Sequence, residues 1–214
     1  MKRLNLIIGL LVIILLLPVF TEATPVDIEN AGFEDLLLSD GSRSFTIPGW
    51  TISGGLAGTY NPLTSRYTDG IPEGSNVAYA NYGAIISQTV SNYIITENTE
   101  LTLSVDIGWR SDYSLTPQYE IQLWAGGNLL DSVSTSTLII GDFVTSILSY
   151  EVLEDNPYIG QSLTIVLLNT GVSGTQVNFD NVRLENHPVP EPSTLLLLGS
   201  GLLGLGYFIR KKRG

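Results

Sequence analysis

The stretch from residue 24 to residue 186 offers only carboxylates for acid–base chemistry. It has no histidine, lysine or cysteine, and the one histidine of the chain, His187, lies just beyond it. This inventory excludes a Ser-His-Asp triad, a cysteine nucleophile and a histidine-ligated metal. Two carboxylates could still cleave a glycosidic bond if one of them kept its proton in an apolar setting. No acidic residue stands in an obviously apolar stretch, so we predict that the protein is not an enzyme, with a glycoside hydrolase as the weak alternative.

The charges of this stretch favour some partners and exclude others. Its only cations are Arg43, Arg66, Arg110 and Arg183, and these four arginines against 19 acidic residues give a net charge of −15. Such a surface repels phosphate backbones and anionic lipid headgroups, so we expect no nucleic-acid partner. Neutral sugars and divalent cations remain compatible with it.

Aromatic side chains beside amides and carboxylates point to sugar binding, because rings stack on pyranose faces while polar groups bond the hydroxyls. In "QYEIQLWAGG" Trp124 shares the polar face of a strand with Gln122 and Glu120, so we predict a ligand site at these three residues. Trp50 and Trp109 have the pattern of core residues. Four tyrosines in or near glycine-rich loops are candidates for one rim: Tyr60, Tyr67, Tyr79 and Tyr82. The alternative for every ring is ordinary packing in a β-sheet, where aromatic residues are common.

Strands must position these residues, because the apolar pattern has a period of two. "ELTLSVDIGWR" alternates cleanly, with Leu101, Leu103, Val105, Ile107 and Trp109 on one face. "QYEIQLWAGGNLLDSVS" predicts a hairpin that turns at Gly126-Gly127. Short strands separated by Gly, Asn, Ser and Pro predict a sandwich or barrel, and the stretch is long enough to bury a core without disulfides.

One strand near the end of the stretch changes its phase. In "TQVNFDNVRLEN" Val177 and Phe179 share one parity, whereas Val182 and Leu184 share the other. A bulge at Asp180-Asn181 would turn both sets to the same side, since bulges re-aim side chains.

The order of the motifs resembles that of a known family. The stretch opens with "IENAGFED", continues through "IPGW" and "IISQTV", and closes on "VNFDNVRLE". It resembles the galactose-binding-like jelly rolls, especially carbohydrate-binding modules that begin Asn-x-Gly-Phe-Glu and end Phe-Asp-Asp/Asn-Val. The resemblance covers most of residues 26–186 and implies an all-β jelly-roll sandwich over residues 24–186. It also implies that the terminal strands lie close together, with a structural calcium near them.

The residues around the bulge agree with such a calcium site. Asp180 could meet Glu34 and backbone carbonyls near Asn30, which would give the oxygen-only shell that Ca²⁺ prefers. The alternative is that Asp180 and Asn181 only satisfy backbone groups at a kink. We predict no other cofactor.

The first residues have the three parts of a secretory signal. Lys2 and Arg3 precede an apolar run from Leu4 to Leu17, and Pro18 then breaks the helix. We predict a signal peptide over residues 1–23 that is cleaved after Ala23, with the Sec translocon as partner; the alternative is an uncleaved anchor.

The last residues, "VPEPSTLLLLGSGLLGLGYFIRKKRG", combine a Pro-Glu-Pro motif, an apolar helix and a basic end. Residues 193–209 carry no charge, and as a helix they would extend about 25 Å, at the lower edge of a bilayer span. We predict a transmembrane helix there, with the basic end on the cytoplasmic side. The motif is Pro190, Glu191 and Pro192, and the basic end is Arg210, Lys211, Lys212 and Arg213.

This tail, from 187 to 214, resembles the PEP-CTERM sorting signal of exported bacterial proteins. The resemblance implies an exosortase-type membrane protease as partner and Pro190, Glu191 and Pro192 as the recognition element. A plain C-terminal anchor is the alternative. Taken together, the sequence predicts an exported, non-catalytic protein that is tethered to the inner membrane and then reaches the cell surface or extracellular matrix. There it would hold polysaccharide; the alternative is a structural matrix or adhesion protein without a small ligand.

Overall fold

The structure, a computed structural model, describes residues 22–134, 137–189 and 192–213. The predicted signal peptide therefore lies almost wholly outside the described residues, as do Pro190 and Glu191. Ala23–His187 forms one compact unit, and the C-terminal helix α1, Pro192–Arg213, belongs to a second unit.

The compact unit is built from strands and, within the described residues, one short 3-10 helix at Thr64–Arg66. The strands are β1 (Thr24–Val26), β2 (Thr51–Gly54), β3 (Ala57–Tyr60), β4 (Val77–Asn81), β5 (Ala84–Ile94), β6 (Thr99–Trp109), β7 (Tyr119–Ala125), β8 (Asn128–Val133), β9 (Asp142–Val152), β10 (Ser162–Asn169) and β11 (Gln176–Pro188).

These strands form two sheets with a shared core. Sheet A has the order β3-β4-β11-β6-β9, with β1 paired to β11, and sheet B has the order β2-β5-β10-β7-β8. The first and last strands are thus neighbours, with Thr24 opposite Asn186, as the family resemblance implied. The architecture is an all-β sandwich consistent with a jelly roll, which confirms the predicted class of this unit.

The core lies between the sheets and follows the predicted alternation. Sheet A contributes Leu101, Leu103, Val105 and Ile107 from β6, and sheet B contributes Ile121 and Leu123 from β7; all six are fully buried. Trp50 is also buried in this core, as predicted. Trp109 lies outside it, because it stands at the end of β6, where it is half-buried and its Nε1 donates to the carbonyl of Tyr113 at 3.0 Å.

Two local features confirm the sequence patterns. Gly126 and Gly127 have left-handed backbones, with φ of 54° and 81°, and join β7 to β8 as a tight hairpin. Asn181 also has a left-handed backbone, with φ of 52°, a conformation that asparagine tolerates better than most residues. This residue separates Phe179 from Val182, and both are buried in the same core, so the chain changes phase where predicted.

The face of sheet A turned away from the core, here called the outer face, is covered in part by the connection between β3 and β4. We call residues 61–76 the covering loop. Its Ile71 packs with Phe143 of β9 against a second, smaller apolar cluster of Tyr60, Val77 and Tyr79. The outer face is therefore less exposed than the free face of a typical antiparallel sheet.

Helix α1 begins at Pro192, and proline is favoured in the first turn of a helix because its missing N–H has no partner to lose there. By length and hydropathy, no helix in the described part of the chain qualifies as a membrane span. The transmembrane helix predicted over residues 193–209 is therefore not confirmed.

Candidate functional site

The outer face of sheet A carries buried polar groups beneath the covering loop. On β11, Gln176, Asn178 and Asp180 alternate with the core residues Val177 and Phe179, and each of the three polar residues is at most 3% exposed. Burial of polar groups costs free energy unless they are hydrogen-bonded, so their partners define what the face can do.

Tyr67 of the covering loop reaches the middle of β11. Its hydroxyl donates to Asn178 Oδ1 at 2.7 Å, and Asn178 Nδ2 donates to the Ala78 carbonyl at 3.2 Å. The Tyr67 and Phe143 rings pack with their centres 4.5 Å apart. Burial raises the pKa of Tyr67 well above its ordinary value, so the phenol keeps its proton.

Close packing of these rings requires a glycine on β6. A Cβ at Gly108 would lie 2.6 Å from the Phe143 ring and 2.9 Å from the Tyr67 hydroxyl. Both separations are shorter than van der Waals contact, so any larger residue would displace one ring.

Asp180 lies deeper on the same face and has no exposed surface. Its Oδ2 accepts the backbone N–H of Glu73 in the covering loop at 3.1 Å, and its Oδ1 accepts the N–H of Asn181 at 2.7 Å. Burial raises the pKa of Asp180 from 3.8 to about 8, and the two N–H bonds oppose this rise only in part. At neutral pH this residue is therefore mainly a protonated carboxylic acid.

A second carboxylate, on β6, links Asn181 of β11 to strand β9 through hydrogen bonds. Asp106 of β6 accepts Asn181 Nδ2 at 2.7 Å and the Thr145 hydroxyl of β9 at 2.6 Å. Its negative charge adds to the rise in the pKa of Asp180.

Arg110 follows β6 and is held on several sides. Its Nε and Nη2 donate to the two carboxylate oxygens of Asp112 at 3.0 and 2.7 Å, and its Nη1 donates to Gln176 Oε1 at 2.8 Å. The guanidinium also lies 4.6 Å from the Tyr60 ring centre and 5.0 Å from that of Tyr113. This is a pre-oriented cation on an otherwise acidic domain.

The predicted ligand site lies elsewhere, on the solvent side of sheet B. Glu120, Gln122 and Trp124 share one face of β7, and all three are half-buried. Trp124 Nε1 donates to Gln122 Oε1 at 2.6 Å, and Gln122 Nε2 donates to Glu120 Oε1 at 2.8 Å. The three residues therefore form a hydrogen-bonded row; ligand binding there stays a prediction.

The three predicted calcium ligands all have other partners, and only Glu34 and Asp180 bond to the covering loop. Glu34 Oε1 accepts the N–H groups of Ser75 and Asn76 at 2.8 and 2.6 Å, and the Asn30 side chain bonds to Asp35 N–H and the Pro48 carbonyl. Asp180 bonds to backbone N–H groups, as in the alternative interpretation. No group of three or more acidic or histidine side chains among the described residues could hold a metal. Calcium binding with the help of backbone carbonyls stays a prediction.

Sequence reasoning placed some of these residues and missed others. Tyr60, Tyr67 and Tyr79 do meet on the outer face, whereas Tyr82 is 54% exposed and stands apart from their cluster. The roles of Asp106 and Arg110 were missed. For Arg110 the available signal was the scarcity of cations, because the domain has only four arginines and no lysine.

Comparison with known proteins identifies two regions of the chain. Residues 24–185 match the sequence model of the HpiC1 cyclase family. Residues 188–213 match the PEP-CTERM protein-sorting motif, which confirms the predicted sorting signal. No curated protein matches the chain.

Solved structures give the same picture for the β-sandwich. The Stig cyclase Fisc from Fischerella sp. TAU, bound to (3Z)-3-(1-methyl-2-pyrrolidinylidene)-3H-indole, is 29% identical with a TM-score of 0.70 over 79% of this chain and 100% of that chain. A cyclase from Fischerella sp. TAU with 4-(1H-indol-3-yl)butan-2-one gives the same identity, TM-score and coverages. The CBM22 tandem domain from Paenibacillus barcinonensis is 13% identical with a TM-score of 0.51, over 82% of this chain and 49% of that one. That last likeness confirms only the carbohydrate-binding-module-like fold.

The matching family is a cyclase family and the two Fischerella structures are of cyclases, so both findings weigh against the prediction of a non-catalytic protein. Residues 24–186 do lack histidine, lysine and cysteine, so chemistry by these side chains stays excluded there. The sequence did not reveal the setting of Asp180, whose carboxyl has no exposed surface beneath the covering loop.

The raised pKa of Asp180 predicts a specific pH dependence of stability. Between pH 4 and 8 the folded state holds a proton that the unfolded state has lost, so rising pH destabilises the fold. Relative to Asp180→Asn, which cannot ionise, the wild type should lose on the order of 5 kcal/mol of unfolding free energy over this range. Urea unfolding at pH 4, 6 and 8.5 measures the difference. The exposed Asp131→Asn is the control, and parallel pH curves for wild type and Asp180→Asn would contradict the assignment.

Proposed function

The chain belongs to the HpiC1 cyclase family, and on that premise we propose that its exported β-sandwich is a cyclase-like enzyme in which Asp180 is the general acid. The observation that carries the proposal is a carboxyl group with no exposed surface whose pKa is raised to about 8. General acid catalysis is most efficient when the pKa of the acid lies near the working pH. The absence of histidine, lysine and cysteine from residues 24–186 leaves carboxyl and phenol groups to supply a proton.

The partners of Asp180 suit a proton donor that must be regenerated. When Asp180 gives its proton to the substrate, the N–H groups of Glu73 and Asn181 stabilise the carboxylate that forms. The carboxylate then takes a proton back from the cyclised cation, so the enzyme returns to its starting state and the product is an isomer of the substrate.

The neighbouring rings suit a flat, cationic intermediate. Tyr67 and Phe143 form a packed pair on the same face of sheet A, and the Tyr60 ring lies further along it. Aromatic faces attract cations, most strongly where water is excluded. The Fischerella cyclases bind indole compounds, and we propose an indole-type substrate for this chain as well.

Access to Asp180 requires movement of the covering loop. The carboxyl is fully buried beneath it, and the Glu73 N–H bond holds the loop in place. Substrate entry would move the loop and break this contact, and closure afterwards would restore it and exclude water from the reaction.

The sorting motif supports a site outside the cytoplasm for the proposed activity. The PEP-CTERM motif implies export and processing by a membrane exosortase. We propose that the Sec translocon exports the chain, that its C-terminal helix tethers it to the inner membrane, and that exosortase processing then releases it to the cell surface or extracellular matrix.

Substitution of Asp180 tests the catalytic proposal. We expect the mature exported protein to isomerise at least one member of a panel of 3H-indoles with a tethered alkene, detected by liquid chromatography and mass spectrometry as a product of unchanged mass. Asp180→Asn should slow this reaction about 10²–10⁴-fold, because the proton donor is lost. Asp131→Asn makes the same chemical change at an exposed site and should retain the rate. Equal rates for Asp180→Asn and the wild type, or no product from the wild type, would contradict the proposal.

Carbohydrate binding is a second candidate, favoured by the row of Glu120, Gln122 and Trp124 on sheet B. The row presents an indole beside an amide and a carboxylate, the groups that sugar sites use. We expect the protein to bind polysaccharides on a glycan array and Trp124→Ala to lose that binding. Binding that survives Trp124→Ala, or no binding at all, would remove this candidate.

A further inference from the structure

A cavity of about 210 Å³ opens on the outer face of sheet A, beside Tyr79 and away from Asp180. It is smaller than the roughly 300–1,000 Å³ of pockets that enclose whole drug-sized ligands, so it fits one group of a larger molecule. The side chains that matter for its chemistry are Arg43, Tyr60, Arg66, Tyr79, Arg110 and Gln176.

The charge of this cavity is opposite to that of the domain. Three of the four arginines between residues 24 and 186 line it, whereas the 19 acidic residues of the same stretch contribute none to its lining. Asp112 is the one carboxylate in the described part of the chain that pairs with these arginines, at 3.2 Å from Arg66 and 2.7 Å from Arg110. Three cations against one shared anion leave a local positive charge.

The fold brings the three arginines together from separate segments. Arg43 pairs through its backbone with Tyr60 at the edge of β3, and neighbouring backbone bonds, such as Ser44 N–H to the Thr59 carbonyl at 2.8 Å, hold this segment to the sheet. Arg66 ends the 3-10 helix of the covering loop. Arg110 is fixed between the Tyr60 and Tyr113 rings, so its position is set before any ligand arrives.

Two buried donors at the cavity have no partner within the described protein. The Tyr79 hydroxyl belongs to a side chain that is 2% exposed, and neither it nor Arg66 Nε makes a hydrogen bond. Buried donors without partners are costly and rare in folded proteins, so each one needs an explanation. Both residues line the cavity, so a ligand there could supply acceptor oxygens for them.

We propose that this cavity binds the carboxylate group of a larger ligand, with Arg43, Arg66 and the Tyr79 hydroxyl as donors. Guanidinium groups match the planar geometry of a carboxylate, and charge-assisted hydrogen bonds are the stronger ones. Because Arg110 already bonds to Asp112 and Gln176, it contributes its charge and the rigidity of the wall.

The inference is independent of the proposed function. Asp180 does not line the cavity, and asparagine keeps an oxygen that can accept the Glu73 N–H, so Asp180→Asn should remove acid catalysis and leave carboxylate binding unchanged. Failure of one proposal therefore leaves the other testable.

Two matched pairs of probes separate the carboxylate from the molecule that carries it. Glucuronate is compared with glucose, and indole-3-butyrate with 4-(1H-indol-3-yl)butan-2-one, by calorimetric titration of the mature exported protein. At least one carboxylate should bind about tenfold or more tightly than its neutral counterpart, and the pair that does so identifies a sugar or an aromatic carrier. Sulfate is included as a bare oxyanion.

Two arginine-to-glutamine variants each remove one positive charge, the first inside the cavity and the second outside it. Arg43→Gln should weaken carboxylate binding about tenfold or more, whereas Arg183→Gln, an exposed arginine outside the cavity, should not. Tyr79→Phe should also weaken binding about tenfold yet leave the melting temperature unchanged or raised, because its hydroxyl has no internal partner to lose.

Three results would overturn the inference. The first is equal affinity for charged and neutral probes in both pairs. The second is an Arg43→Gln variant that loses no more affinity than Arg183→Gln. The third is sulfate binding more tightly than both carboxylates, which would assign the cavity to another class of oxyanion.

Discussion

The hydrogen bond from the Glu73 N–H to the Asp180 carboxyl is the contact on which the outer face of sheet A depends. It fastens the covering loop to β11 and removes the carboxyl from water. Glu34 reinforces the attachment by accepting the N–H groups of Ser75 and Asn76 in the same loop. Because the loop is held against the sheet, the Tyr67 hydroxyl bonds to Asn178. Arg66, the residue before Tyr67, lines the cavity beside Tyr79 for the same reason.

The left-handed backbone at Asn181 comes directly after this contact on β11 and changes the phase of the strand. Val177 and Phe179 point into the core before it, and Val182 and Leu184 do so after it. The left-handed residue between them directs its side chain to Asp106, which in turn accepts the Thr145 hydroxyl. Asn181 thus links the core-facing part of β11 to the polar groups of the outer face. Changes of phase within a strand, as at a bulge, are common beside functional sites.

Much of the fold could be predicted from the sequence, because strand alternation and turn chemistry are local. The four apolar residues of β6, the glycine hairpin and the phase change at Asp180-Asn181 are all visible in short windows. The sorting motif is equally local. The site was harder to predict from the sequence, because the burial of Asp180 depends on a loop more than a hundred residues earlier. This burial, and not the neighbours of Asp180 in the sequence, raises its pKa. The convergence of Arg43, Arg66 and Arg110 is non-local in the same way.

The proposed catalysis requires that the Asp180 carboxyl keeps its proton at neutral pH. Carbon-13 NMR of the side-chain carboxyl, assigned by its loss in Asp180→Asn, measures this directly. The account predicts the chemical shift of a protonated acid at pH 7 and a titration midpoint near 8. A midpoint near 4, with the shift of a carboxylate at pH 7, would contradict it.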